Sequence, residues 1–401
     1  MRERSLIRYM GTKRMLAETV RGELITARST GTVVDLFSGM GAVARAVSPT
    51  TPVWLNDALA FPGVFARAQF TDVEHPDADA LVLRLHRPYL RALRFLGQQF
   101  EAELRAETNA LRSRAAMLRY LNEAGHVGNT GTMAKSAAAA CTASGLDHYR
   151  LAALYFGAGY FSRRQAIQID ALRYAIDLQE RSLRNWLLAG WLSAAAAVLN
   201  APGHTAQYLR PNTDSGYDRI ARRWNRDVWE EFSSRIALVT TLGHRTWRAK
   251  NRVTTDDALA VLRTLPKDRM RAIYADPPYT KDHYSRYYHV YETLYLYDYP
   301  SSEGAGRYRA DRFRSEFSIK SRVVETFESL FGLVRQLAVP FVLSYPTNGL
   351  LYTRVDLEEV LRQYLHVQRV HEIATEHSAL GGHGKTTKAV TERIYVCSAA
   401  S

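Results

Sequence analysis

The densest chemistry in the chain lies in IYADPPYTKDHYSRYYHVYETLYLYDYP, residues 273–300. A hydrophobic stretch ends at Asp276, and Pro277, Pro278 and Tyr279 follow at once. Proline cannot donate to a strand ladder, so the pair belongs just past a strand, where its fixed φ holds the backbone still. That arrangement suits an exocyclic amine such as that of adenine, whose lone pair is delocalised into the ring. Two acceptors aimed at the amine hydrogens draw the nitrogen towards sp3 geometry. The Asp276 carboxylate is one acceptor and the Pro277 carbonyl is the other. Tyr279 offers a flat face on which a base can stack. A methyl donor then needs only in-line alignment with the nitrogen. A base inside a duplex must be flipped out to reach such a pocket.

A second constellation lies near the N-terminus. VVDLFSGMGAVARAV, residues 33–47, reads as strand, Gly-rich turn and helix. Gly39 and Gly41 let the backbone approach a ligand at a helix N-terminus. Asp35 ends the strand, where a carboxylate can accept from an ammonium group. Asp57, twenty-two positions later, follows Asn56 at the end of the next apolar run. An acid there can hold both hydroxyls of a ribose. Ala44 completes a permissible G-x-G-x-x-A pattern, but Phe37 and Ser38 ahead of the first glycine are unlike a dinucleotide fingerprint. S-adenosylmethionine fits better, because its amino-acid end needs a carboxylate and backbone groups and no pyrophosphate cradle. The plain alternative is an ordinary strand–helix turn.

These residues need a sheet to carry them. Strand-like runs cluster at the two ends of the chain, at 32–38 and 52–57, then at 271–276, 340–346, 370–375 and 392–398. Most are continuously apolar, as central strands covered on both faces are. From about residue 61 to 239 the chain is instead rich in Ala, Leu and Arg at helical spacing. The expected fold class is α/β: a Rossmann-like S-adenosylmethionine-dependent methyltransferase sheet with a large, mainly helical inserted domain. The expected domains are 1–60 with 245–401 for the discontinuous catalytic part, and 61–244 for a mainly helical inserted part.

Charge points to a polyanionic partner. The 401 residues hold 53 Lys and Arg against 40 Asp and Glu, a net charge of +13. Two cysteines, Cys141 and Cys397, make neither a disulfide framework nor a four-ligand zinc site, and His377 with His383 is a weak pair. No metal is expected. MRERSLIRYMGTKRML lacks the apolar core of a signal peptide. The apolar run 186–199 is too short to span a bilayer and reads as a buried helix. No membrane is expected, and the expected location is bacterial cytoplasm, on the nucleoid.

Four sets of residues are candidates for contact with DNA phosphates. Lys281, His283 and Arg286 follow the Asp-Pro-Pro-Tyr run. Arg222, Arg223 and Arg226 are interleaved with Trp224 and Trp229. Lys385 sits in a Gly-rich basic loop, residues 376–388, that is either a surface loop or a backbone clamp. Arg84, Arg87, Arg91 and Arg94 fall three or four apart, on one face of a helix that kinks or restarts at Pro88. They form either a solvated face or a phosphate-contact face. Tyr284, Tyr287, Tyr288, Tyr291 and Tyr295 recur at helical spacing and read mostly as packing. Ser344 and Tyr345 either wall a target pocket or form a plain strand end.

In the order of its motifs the sequence resembles the Dam-like DNA adenine-N6 methyltransferases. RYMGTKRML (8–16) is similar to the family's N-terminal motif, DLFSGMGAVA (35–44) to its cofactor loop, DDALAVL (256–262) to its acidic segment, and DPPYT (276–280) to its catalytic motif. The resemblance implies that Tyr9, Gly11 and Lys13 lie near cofactor and target base. It implies that Asp35, Phe37, Ser38, Gly39 and Gly41 line the cofactor, and that Asp57 holds ribose. Asp257, or else Asp256, accepts from the cofactor's adenine, and Asp276, Pro277, Pro278 and Tyr279 hold the target adenine. The implied activity is transfer of methyl from S-adenosylmethionine to N6 of adenine in duplex DNA, within restriction-modification or phage defence and with possible cognate partner proteins. The alternatives are DNA cytosine N4, where the family tends to have Ser at position 276, an RNA adenine, or a dead scaffold that only binds DNA. Glutamine methyltransferases of the release-factor type normally carry Asn at that position.

Overall fold

The structure, a computed structural model, describes residues 6–7, 16–47, 49–71, 77–123, 132–139, 145–378 and 387–399. It forms two compact units, one helical and one built on a sheet.

The sheet unit holds seven strands: β1 (Thr32–Asp35), β2 (Val53–Asp57), β3 (Arg252–Thr255), β4 (Met270–Ala275), β7 (Phe341–Pro346), β8 (Leu365–Ser378) and β9 (Thr387–Ala399). A two-residue pair in the helical unit, β5 (Ser302–Glu303) and β6 (Tyr308–Arg309), completes the numbering. The sheet order is β3-β2-β1-β4-β7-β9-β8. The first five strands run parallel, and β9 is antiparallel to both β7 and β8. This mixed α/β arrangement bears out the Rossmann-like expectation. Apolar side chains cover both faces of the parallel strands: Val34, Ile273 and Leu343 lie in one core cluster, and Val33, Ala272 and Val342 in the other. Alternate residues point to opposite faces, so central strands must be apolar throughout.

The sequence reading did not include β3. It is only four residues long, its sequence is polar, and it is half exposed. It is held on the edge by Trp54, whose Nε1–H donates to Thr254 Oγ1 at 2.9 Å while Arg252 stacks 3.9 Å above the ring.

The two units divide the chain at points other than the sequence boundaries. The sheet unit takes 11–73, 242–285 and 313–401, and the helical unit takes 1–10, 74–241 and 286–312. Helix Ala60–Phe70 stays with the sheet because its buried face, including Ala66 and Phe70, shares a core with Val43, Val53 and Leu55. Residues 286–312 join the helices through their tyrosines. Tyr288 is fully buried, and Tyr287, Tyr291 and Tyr297 nearly so. The Tyr297 hydroxyl donates to Asp170 at 2.5 Å, and Tyr155 donates to the Pro300 carbonyl at 2.8 Å. Asp170 also accepts from the N–H groups of Ala152 and Ala153, at 2.8 Å each. The buried run expected at 186–199 is helix Arg184–Val198. No described helix is long and apolar enough to cross a membrane.

Candidate active site

The site is best built from its strand ends. β2 and β3 extend the sheet on one side of β1, and β4 and β7 on the other. In open α/β sheets the crevice at the carboxyl ends of strands flanking such a reversal is where ligands bind. Here those ends are Asp35, the last residue of β1, and Asp276 just after β4, with the strand ends joined by Leu36 N–H donating to the Tyr274 carbonyl at 3.0 Å. Asp35 is 2% exposed, and burial together with the neighbouring Asp276 charge raises its pKa well above the usual carboxylate range. Its Oδ1 is buried and accepts no hydrogen bond from a described residue. Two acids at one crevice, one with an unanswered oxygen, make a site that favours a cation.

The Gly-rich turn is stitched to β2. Ser38 N–H donates to the Asn56 carbonyl at 2.8 Å, and Gly39 N–H donates to Asp57 Oδ2 at 2.9 Å. Gly41 has φ +72°, and a Cβ there would lie 3.0 Å from the Phe70 ring, so both conformation and space call for glycine. Gly39, at φ +47°, is the other left-handed residue of the turn. Asp57 accepts a second backbone bond from Leu59 at 2.9 Å, yet burial pushes its pKa up to about 6. Phe37 sets the edge of its ring against Phe317, centroids 5.4 Å apart, and packs on the core that also receives Tyr279.

Asn56 is a residue whose role the sequence did not disclose. It is 1% exposed, and its amide donates to the carbonyls of Leu36 (3.1 Å) and Asp256 (2.9 Å) and accepts from Thr254 Oγ1 (2.8 Å). It therefore ties the start of the Gly-rich turn to the acidic segment at 256–257. The only hint in the sequence is a polar residue at the end of an apolar strand. Asp257 caps helix Ala258–Thr264, with Oδ1 accepting from Leu259 and Ala260; Oδ2 takes no part in that cap. Asp256 is exposed, and its side chain accepts from Asp257 N–H.

On the far side of Asp276, Pro277 is buried, Pro278 is half-buried, and the Tyr279 carbonyl accepts from Leu350 N–H at 2.8 Å. Ser344 and Tyr345 are fully buried, so they do not wall a pocket. Ser344 accepts from the Tyr274 hydroxyl at 3.0 Å, and Tyr345 accepts from Leu351 N–H at 3.1 Å.

The DNA candidates separate. Lys281 is exposed and His283 half-buried. Arg286 stacks 5.4 Å over Tyr308 and donates to its hydroxyl at 3.4 Å. Arg222 is exposed on helix Asp214–Trp224. Arg223, expected to meet phosphate, donates instead to the carbonyls of Leu199 (2.9 Å) and Ala201 (3.3 Å). Arg226 likewise donates to the Ala197 carbonyl at 2.7 Å and pairs with Glu231. Both cations answer carbonyls left over at a helix end, a demand that charge spacing alone does not reveal. Tyr9, Gly11, Lys13 and Lys385 lie outside the described residues. His289, given no chemical role, is buried and neutral, its pKa lowered to about 3 by burial, with Nε2 donating to the Thr205 carbonyl at 2.7 Å. No cluster of three or more metal-ligand side chains occurs among the described residues.

Sheet order, Gly-rich turn and paired acids together define a Rossmann-like methyltransferase fold. Residues 159–339 match the family model described as D12 class N6 adenine-specific DNA methyltransferase. Over that span the chain is related to this family, which bears out the resemblance read from the sequence. The match begins inside the helical unit, so part of the segment between the motifs is family sequence too. Across 398 residues, 96% of the chain, the sequence is 24% identical to modification methylase LlaI of Lactococcus lactis subsp. lactis, covering 54% of that protein. It is 27% identical over 201 residues to type II methyltransferase M.NlaIII of Neisseria lactamica, covering 48% of the chain and 52% of the relative. It is 26% identical over 212 residues to type II methyltransferase M.FokI of Planomicrobium okeanokoites, covering 51% of the chain and 29% of the relative. The chain thus spans about half the length of the first two curated relatives, and less of the third.

Proposed function

We propose that the chain is a site-specific DNA adenine-N6 methyltransferase acting on an adenine flipped out of duplex DNA, as the modification component of a restriction or defence system in the bacterial cytoplasm. The observation that carries this reading is the pairing of Asp35 and Asp276 at the ends of adjacent parallel strands, with the Gly39–Asp57 latch beside them. The acids fit S-adenosylmethionine: the unanswered Oδ1 of Asp35 accepts from its ammonium group, and Asp57 accepts from its ribose hydroxyls. Asp257 accepts from its adenine, and Phe37, Ser38, Gly39 and Gly41 form the wall. When bound, S-adenosylmethionine supplies a methyl group activated on a sulfonium and leaves as S-adenosylhomocysteine.

The remaining work falls to the catalytic run. Asp276 and the Pro277 carbonyl each accept one hydrogen of the target N6, which directs its lone pair at the methyl carbon. Asp276 then passes the released N6 proton to solvent. Tyr279 stacks on the base, and the tie between its carbonyl and Leu350 fixes the run against the turn that follows β7. The helical unit reads the DNA sequence.

The test is long-read sequencing of genomic DNA from a methylation-free host expressing the chain, with Asp276→Ala as the control. N6-methyladenine in one recurring sequence, absent with the variant, is the expected result. Methylcytosine at N4, or an unmodified genome, overturns the assignment.

A further inference from the structure

The longest described helix, Ala78–Gln99, runs unbroken through Pro88. The carbonyl that Pro88 leaves unbonded is that of Arg84, an exposed residue where water can answer it. The buried stripe is Leu81, Leu85, Tyr89, Ala92 and Leu96. On the opposite side Arg84, Arg87, Arg91 and Arg94 are all exposed. At 3.6 residues per turn they share about a quarter of the helix circumference. None of the four makes a hydrogen bond or ion pair with a described residue. Some exposed arginines elsewhere in the same unit are paired, Arg105 with Glu101, Arg114 with Asp214 and Arg184 with Asp177, whereas others such as Arg119 and Arg219 have no ion pair with a described residue. From Ala80 to Gln99 the helix has no carboxylate. Leu83 and Leu90, 77% and 43% exposed, flank the row.

A row of like charges on one helix face is self-repelling, and no acid among the described residues pairs with it. We propose that this arginine row is a docking surface for the phosphate backbone of duplex DNA, gripping one strand independently of base sequence. The inference rests on the DNA methyltransferase reading. Geometry fits the occupant: the ten residue steps from Arg84 to Arg94 rise about 15 Å, a length over which duplex DNA carries several phosphates. Guanidinium groups also match phosphate in planar, two-pronged geometry. The row supplies affinity and steering and reads no bases.

The experiment uses the full chain, a fluorescein-labelled duplex of arbitrary sequence, and anisotropy titrations across a salt series. Each phosphate contact contributes about 0.9 to the slope of log Kobs against log salt, so replacing all four arginines by glutamine should lower the slope by about 3–4. A matching fourfold Arg→Lys variant, which keeps charge and helix, should retain the wild-type slope. An unchanged slope with glutamine overturns the proposal, and so does an equal loss with lysine. Loss of slope on single-stranded RNA but not on the duplex also overturns it and assigns the row to RNA. The functional reading is tested separately, by transfer of labelled methyl to adenine by the wild-type chain. Transfer with an unaltered variant slope sinks the row alone. Absence of both transfer and duplex binding sinks both.

Discussion

Gly39 and Asp57 are joined by a 2.9 Å hydrogen bond from backbone N–H to Oδ2, which latches the Gly-rich turn after β1 to the acid that ends β2. Turn and acid are therefore held together. The two backbone bonds on Asp57 favour its ionised form, but burial outweighs them and holds the pKa at about 6.

That value predicts a pH dependence. A protonated Asp57 is a poorer acceptor for ribose hydroxyls, so affinity for S-adenosylhomocysteine should rise with pH up to about 6 and level off above it, by at most about tenfold per unit from this one group. Asp35 titrates in the same direction, because burial and Asp276 raise its pKa as well. Asp57→Asn should therefore bind more weakly and show a shallower pH dependence, but not a flat one. Calorimetric titration across this range checks it. A wild-type affinity independent of pH contradicts the role given to Asp57.

The same raised pKa has the opposite sign for stability. An acid whose folded pKa lies above its unfolded value stabilises the ligand-free fold most below the unfolded pKa. That contribution fades as pH climbs from about 4 to about 6. In urea unfolding without ligand, Asp57→Asn should narrow the gap between stability at the two ends of that window.

Asn56 should be the costliest polar residue of the site to replace. Asn56→Leu keeps the branched shape but strands the carbonyls of Leu36 and Asp256 and the hydroxyl of Thr254. The expected loss is about 2–4 kcal/mol in urea unfolding, as buried groups left unsatisfied cost about 1–3 kcal/mol each and some will regain water. A loss below about 1 kcal/mol would show that the loop does not depend on this amide.

These contrasts mark what could be read from the sequence. Asp35, Asp57 and Asp276 were legible because parallel strands buried on both faces are written as continuous apolar runs, and an acid at the end of such a run stands out. Asn56 ends a run in the same way, but its partners lie up to two hundred residues away. Strand β3 was hidden because an edge strand needs neither length nor apolarity when Trp54 holds it. Tyr297 and Tyr299 adopt φ of +55° and +52°, which local propensity disfavours. Their hydroxyl contacts with Asp170 and with His148 and Arg150 bind that segment to the helical unit. Charge spacing identified arginines, but it could not separate Arg222 from Arg223.

Those two neighbours give a further prediction. Arg222 is exposed, so Arg222→Gln should leave stability within about 0.5 kcal/mol and lower the salt slope of DNA binding by about 1 if it meets phosphate. Arg223→Gln removes the donor from Leu199 and Ala201 and should cost about 1–3 kcal/mol, with the slope unchanged. Paired urea and anisotropy measurements separate the roles. A reversed pattern would mean that the carbonyl contacts of Arg223 are incidental.

Gly349 offers the sharpest probe of how the Asp-Pro-Pro-Tyr run is held. A Cβ at this position would lie 2.3 Å from Cε1 of Tyr345, well inside van der Waals contact. The ring cannot swing away freely, since Phe327 packs edge-on against it at 5.2 Å and Tyr352 lies 6.1 Å off on a tilted plane. Gly349→Ala must therefore shift the turn itself, and Leu350 in that turn donates to the Tyr279 carbonyl at 2.8 Å. The strain should cost about 1–3 kcal/mol of stability. It should also slow methyl transfer, with affinity for S-adenosylhomocysteine unchanged, because the disturbance reaches Tyr279 and not the Asp35 and Asp57 strand ends. Truncating the clashing ring relieves the strain, so Gly349→Ala with Tyr345→Ala should be less destabilised than the two single losses added together. If Gly349→Ala keeps the wild-type rate, the bond from Leu350 does not position Tyr279.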